Sequence, residues 1–302
     1  MFAGENGELT LEAVQQNSPT WNYNDLIYGL EQLQEVSEQC DQYVYPVYTG
    51  EEVEKDPHLR QVQLIYLPAY QKRSDYYAIL LAGGAYGAVC TMAESLPVGA
   101  KLNELGITCF CLNYRTAVQE SFSTGLMPKP LDDLAAAWRF IQAHQDQFGV
   151  NAEDYIVGGF SAGGHAAAMW GTAHLGFRKY GIPAPRMLLL GYPLITMENQ
   201  KPGQMKDYIS LGMFGAGYTE DDIRRYAVNR HVDAAYPKVY LVQSMDDDTI
   251  PPKDSEDFAI ALEKAGVPFR MERLDSGGHG FDLGSATPLN GWVERAVAFL
   301  SE

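Results

Sequence analysis

The chain has 302 residues, 46% of them hydrophobic and 20% charged, with a formal net charge of −17. That profile excludes a disordered or fibrous protein and leaves room for one large α/β domain carrying an insertion or extension. A strongly acidic chain is a poor match for the phosphates of nucleic acid, and no window approaches the unbroken apolar run of roughly 18 residues that a membrane span needs.

The N-terminus, MFAGENGELTLEAVQQ, lacks a basic start, an apolar stretch and a small-residue cleavage site, so a cytoplasmic chain is expected. Four cysteines fit that expectation as reduced, mostly buried thiols. Cys109 and Cys111, two apart on one strand, share a sheet face but are poorly placed to bridge each other. No Cys-x-x-Cys spacing or His/Glu ligand cluster points to a metal, and no cofactor motif is visible.

Residues 1–55 are polar, Gln-rich and acidic and read as an N-terminal extension, a lid or docking segment. Within them Leu26, Leu30, Leu33 and Val36 recur at helical spacing over 24–39, with Asn24 or Asp25 as cap. Residues 56–302 read as the main domain. VQLIYLPAY predicts a strand and turn, and the apolar run 76–82 predicts a second strand before a Gly-Gly pair. A helix over 95–105 ends at Gly106, and a buried strand follows over 107–113. One amphipathic helix is predicted over 131–148, with Leu131, Leu134, Ala135, Trp138, Ile141 and Phe148 on one face. Strands at 155–159, 187–193, 237–244 and 269–275 and helices at 254–265 and 291–301 complete the pattern. Apolar strands alternating with amphipathic helices predict a mostly parallel central sheet with helices on both faces. The Met-, Gly- and charge-rich stretch 196–236 breaks that rhythm and reads as a cap excursion.

Gly159-Phe160-Ser161-Ala162-Gly163 matches G-x-S-x-G between an apolar strand and a small-residue helix. That is the setting of a nucleophile elbow, in which a strained turn holds the serine hydroxyl clear of the sheet. A serine nucleophile needs a base, and the base needs a carboxylate. His279, in the glycine-flanked Ser276-Gly277-Gly278-His279-Gly280-Phe281, is the candidate base; His231 lies in the excursion, where a surface or capping role is expected. His165, one helical turn past Ser161, reads as a hydrogen-bonded core residue. The carboxylate is sought among Asp246, Asp247 and Asp248 at the end of strand 237–244. Oxyanion donors are expected from the N–H of Ala162 and from the Gly83-Gly84-Ala85 loop. Tyr86 and Phe160, beside these groups, are substrate-pocket candidates.

Over residues 60–300 the chain resembles the α/β-hydrolase esterases of the acetyl-esterase, acetyl-xylan-esterase-like and feruloyl-esterase-like branch. The resemblance rests on Gly83-Gly84-Ala85-Tyr86, Glu94-Ser95-Leu96-Pro97-Val98, Asn113-Tyr114-Arg115, Pro130-Leu131-Asp132-Asp133-Leu134, the elbow GFSAGGH, Asp247-x-x-Ile250-Pro251 and Gly278-His279-Gly280-Phe281. It implies an α/β-hydrolase fold and a Ser161–His279–Asp247 triad, with Asp247 selected by its spacing to Ile250-Pro251. The early loop departs from the family pattern, with Ala82 where many relatives carry His or Pro and Ala85 where a third glycine is usual. The implied activity is hydrolysis of a small-acyl ester, acetyl by preference, on a small molecule or oligosaccharide. Apart from the resemblance, a homodimer is the assembly considered. An arylformamidase or a prolyl-oligopeptidase-like amidase is the second enzyme reading, although the chain has no room for a propeller. A non-catalytic binding protein on the same fold is the reading from another class.

Overall fold

The computed structural model describes residues 21–302; the N-terminal leader reading and the start of the 1–55 extension fall on residues 1–20, outside them. Helix α1 (Tyr23–Gln39) is capped by Asn22, whose side chain accepts the amides of Asn24 and Asp25. Strand β1 (Val44–Pro46), helix α2 (Gly50–Lys55) and a 3-10 turn lead to β2 (Gln63–Leu67) and β3 (Tyr77–Leu81). Helix α3 (Ser95–Glu104), β4 (Thr108–Asn113) and the short α4 (Ser121–Thr124) follow. Next come α5 (Lys129–Ala143), α6 (Gln145–Phe148), β5 (Tyr155–Phe160), α7 (Ser161–Trp170) and β6 (Met187–Gly191). Helices α8 (Gln204–Phe214) and α9 (Glu220–Arg225) occupy the excursion, and β7 (Lys238–Ser244), α10 (Lys253–Ala265), β8 (Phe269–Leu274) and α11 (Trp292–Phe299) close the chain.

The eight strands form one sheet in the order β1-β2-β4-β3-β5-β6-β7-β8. β1 and β2 run antiparallel to their neighbours, and the pairs from β4 through β8 are parallel. Strand alternation sorts the core onto two faces. Tyr77, Ile79 and Leu81 of β3 pack with Leu134, Ala166 and Phe258 from α5, α7 and α10. Ala78 and Leu80 of the same strand pack with Leu96, Val98 and Trp292 from α3 and α11. Helix α1 joins this second face by packing on α3 and burying Val36.

Two differences from the sequence reading have local causes. Residues 44–46, inside the stretch read as an extension, pair with 63–65 and form the edge strand of the sheet. Three residues are too few to show a period. The helix predicted over 131–148 is two helices. His144 is the C-cap of the first, with its backbone amide at 3.2 Å and its ring Nδ1 at 2.8 Å from the Phe140 carbonyl.

The β6–β7 excursion holds no strand; its α8 packs across α4, and the amides of Leu126 and Met127 reach the Met213 carbonyl at 3.0 Å. This brings the excursion to the carboxyl ends of the parallel strands, where open α/β sheets bind their ligands.

Candidate active site

Ser161 sits at the junction of β5 and α7 with φ 52°, a left-handed conformation that a serine adopts only under constraint. The flanking glycines make that turn sterically feasible. A Cβ on Gly159 would lie 2.3 Å from the Gly163 carbonyl oxygen, and one on Gly163 would lie 2.2 Å from that of Leu81. Elbow and β3 are therefore in backbone contact, and no side chain larger than hydrogen fits between them.

The Ser161 hydroxyl lies 2.9 Å from Nε2 of His279. Nδ1 of the same ring lies 2.8 Å from Oδ2 of Asp247, whose side chain is fully buried. A carboxylate can only accept, so Nδ1 carries the proton and Nε2 is left to accept from the serine. Asp247 Oδ1 is held by the amides of Thr249 (2.9 Å) and Ile250 (2.8 Å), and Oδ2 also accepts from Gln243 Nε2 at 3.1 Å. Gln243 is in turn fixed by the Ser255 hydroxyl at 2.8 Å. The ring of Tyr192 packs edge-on against His279 with centroids 4.9 Å apart.

The aspartate cluster is divided in function. Asp247 faces the imidazole, and Asp248 is exposed. Asp246 is exposed but accepts the amides of Gly277 (2.9 Å) and Gly278 (2.8 Å) and the Ser244 hydroxyl (2.6 Å). It ties down the loop that carries His279. Consecutive aspartates in the sequence do not reveal that division, because Asp246 finds its partners on a loop distant in the chain.

The early loop requires one correction. Gly83 adjoins Ser161: a Cβ there would meet Ser161 Cβ at 2.6 Å. Its amide, however, donates to Oε2 of buried Glu94 and is not free to serve as an oxyanion donor. The amides of Gly84, Ala85 and Ala162 donate to no group among the described residues. Gly84, Ala85 and Tyr86 all have positive φ, at 122°, 53° and 59°. For alanine and tyrosine this conformation costs about 1 kcal/mol or more each and marks a loop whose successive amides are turned by its surroundings.

The two pocket candidates are core residues. Tyr86 is fully buried, its hydroxyl 2.7 Å from Nδ1 of His165. Phe160 is also fully buried and packs on Tyr192, because it is the last residue of β5 and points to the face opposite Tyr155 and Val157. His165 lies in the core, its Nε2 2.8 Å from the Tyr226 carbonyl, and burial lowers its pKa to about 4. It is therefore a neutral imidazole that donates to Tyr226 and accepts from Tyr86. His231 packs on His174 with ring centroids 4.0 Å apart and planes tilted by 39°, remote from Ser161 in its contacts. Two aromatic residues outside the predicted set lie beside the loop. Tyr208 of α8 brings its hydroxyl 3.1 Å from where a Gly87 Cβ would be, and its half-exposed ring meets Phe122 at 5.3 Å. Only the packing of α8 on α4 brings these rings together.

Residues 64–178 match the BD-FAE family model. The chain is 26% identical over 222 residues to endo-1,4-beta-xylanase B of Butyrivibrio fibrisolvens, covering 71% of this chain and 34% of that protein. It is 26% identical over 206 residues to an acetylxylan esterase of Xylanibacter ruminicola, covering 67% of this chain and 40% of that protein. The chain thus spans well under half the length of these relatives. Among solved structures, an acetyl ester-xyloside bifunctional hydrolase from Caldicellulosiruptor lactoaceticus superposes with a TM-score of 0.71 at 24% identity, over 85% of this chain and 95% of that one. A carboxylesterase from Lactobacillus plantarum WCFS1 superposes with a TM-score of 0.66 at 22% identity, over 80% of this chain and 91% of that one. The fold is that of the α/β-hydrolases. Among the described residues no helix is long and apolar enough to cross a membrane.

Proposed function

We propose that this α/β-hydrolase is a serine carboxylesterase that removes a small acyl group, acetyl by preference, from a carbohydrate ester. The single observation that carries the reading is the unbroken hydrogen-bond line from the Ser161 hydroxyl through His279 to Asp247, at 2.9 and 2.8 Å. The acetyl and carbohydrate preference draws on the acetylxylan esterase among the relatives and on the exposed ring of Tyr208, backed by the part-buried Phe122, since an exposed aromatic ring suits the apolar face of a sugar.

In the proposed reaction Ser161 Oγ attacks the ester carbonyl while His279 Nε2 takes its proton. The carboxylate of Asp247 balances the imidazolium. The oxyanion of the tetrahedral intermediate is received by the amides of Ala162 and of Gly84 or Ala85. His279 returns the proton to the departing sugar hydroxyl, leaving an acyl-Ser161. Water, deprotonated by His279, then attacks that ester and releases acetate and free serine.

The test is direct. Ser161→Ala lowers turnover of p-nitrophenyl acetate by roughly 10⁴-fold or more, leaving a folded protein that a fluorophosphonate no longer labels. Full turnover by this variant would sink the assignment, and an unlabelled wild-type Ser161 would favour a binding protein on this fold. Comparing acetylated xylo-oligosaccharides with N-formylkynurenine and proline anilides separates the esterase from the amidase readings. A cytoplasmic location belongs to the same proposal and is checked by fractionating the source cells.

A further inference from the structure

Glu94 is a fully enclosed carboxyl group that the proposed reaction does not use. It immediately precedes α3, and three loops converge on it. From the loop after β3, the Gly83 amide donates to Oε2. From the segment after β6, the Tyr192 hydroxyl stands near Glu94 and donates to Asp282 Oδ1 at 3.1 Å. From the loop after β8 come His279 and Asp282, and Cys90 and Tyr114 complete the titratable groups that face it. Burial raises Glu94 to about 7 and holds Asp282 well above the usual carboxylate range. The Glu94 carboxyl adds to burial in raising Asp282.

The same groups touch both halves of the site. Tyr192 packs on His279 and on Phe281 at 4.8 Å, and Asp282 lies three residues past His279 with its carbonyl bound by Trp292 Nε1 at 3.0 Å. Gly83 stands against Ser161. Its neighbours Gly84 and Ala85 have positive φ, and their amides have no partner among the described residues.

We propose that Glu94 is a positioning residue for the oxyanion loop: by taking the Gly83 amide it fixes the loop so that the next amides, those of Gly84 and Ala85, stay free for the oxyanion beside Ser161. This rests on the esterase reading above. Glu94 touches neither substrate nor the reacting atoms. Without its acceptor the Gly83 amide would turn to another acceptor or to water, and the strained turn behind it would relax.

Three variants and two readouts test the role, with folding checked by circular dichroism. In Glu94→Ala, kcat for p-nitrophenyl acetate falls roughly 10²-fold, the scale of losing one oxyanion donor, while KM stays within about threefold. The inhibition constant of phenylboronic acid, which forms a tetrahedral adduct on Ser161, rises by about the same factor as kcat falls. Glu94→Gln retains a carbonyl oxygen for the Gly83 amide and recovers kcat to within about fivefold of wild type. Glu94→Asp, one methylene short, behaves like Glu94→Ala, and the contrast between Asp and Gln decides the matter if the alanine variant does not fold. The role is overturned if the Ala and Asp variants keep kcat within threefold, if Gln is as impaired as Asp, or if kcat falls with boronate affinity unchanged. A wild-type protein that neither turns over the ester nor labels at Ser161 overturns the esterase reading and this role with it. An active, labelled wild type whose Glu94 variants are insensitive overturns this role alone.

Discussion

Replacing Asp247 by asparagine changes one oxygen to an amide nitrogen in a site built only of donors. The Thr249 and Ile250 amides at 2.9 and 2.8 Å and the Gln243 amide at 3.1 Å all point hydrogens at the carboxylate. Two fixed backbone donors hold the Oδ1 position, so the asparagine carbonyl occupies it. The new NH2 group then faces Gln243 Nε2 and His279 Nδ1. To accept from it, His279 must move its proton to Nε2, and a protonated Nε2 cannot take a proton from Ser161. The expected loss is about 10⁴-fold in kcat, the scale known for the wrong histidine tautomer, or about 5.5 kcal/mol at ~1.4 kcal/mol per decade. KM for p-nitrophenyl acetate stays within a few-fold, because the change is confined to the fully buried side chain behind His279. Steady-state kinetics on the purified variant, with the melting curve as a control for folding, make the measurement. A kcat within tenfold of wild type in a folded variant would refute the reasoning, since it would mean that nothing at this site depends on the tautomer of His279.

Two further predictions follow from groups around this core. His165 is buried neutral, with its pKa lowered from 6.5 to about 4. The unfolded chain therefore binds an extra proton as pH falls below 6.5, and the stability that this residue contributes above 6.5 is lost progressively down to about 4. At ~1.4 kcal/mol per pH unit the loss reaches about 3 kcal/mol. Urea unfolding of wild type and His165→Gln at pH 7 and pH 4.5 reads it as a stability difference that narrows or reverses at the lower pH; a difference independent of pH would contradict it. Asp246→Ala removes the acceptor of the Gly277 and Gly278 amides. It lowers kcat roughly tenfold through a looser His279 loop, with little change in melting temperature because the side chain is exposed; unchanged kcat would show that the loop holds its place without it.

Much of this molecule is written locally. The alternation of strands and helices from β2 to α11 follows from hydrophobic period. The elbow is legible because G-x-S-x-G stands between an apolar strand and a small-residue helix, although the need for glycine at 163 comes from the Leu81 carbonyl of β3, and His279 stands out because glycines flank it on both sides. The features that the sequence leaves open all depend on partners far away in the chain. Asp246 and Asp247 are neighbours of one type, and only the packing of the β8 loop gives one the glycine amides and the other the imidazole. Gly83 reads as an oxyanion donor until Glu94 takes its amide. Phe160 and Tyr86 border functional residues in sequence, yet the pleat of β5 and the left-handed turn at Tyr86 send both into the core. The edge strand at 44–46 and the Tyr208–Phe122 pair exist only through pairing with distant segments. Local steric rules determine where the chain must turn and which residue types can stand there; where each donor and acceptor finds its partner is decided by tertiary contacts, because a hydrogen bond depends on position in space and not on separation along the chain.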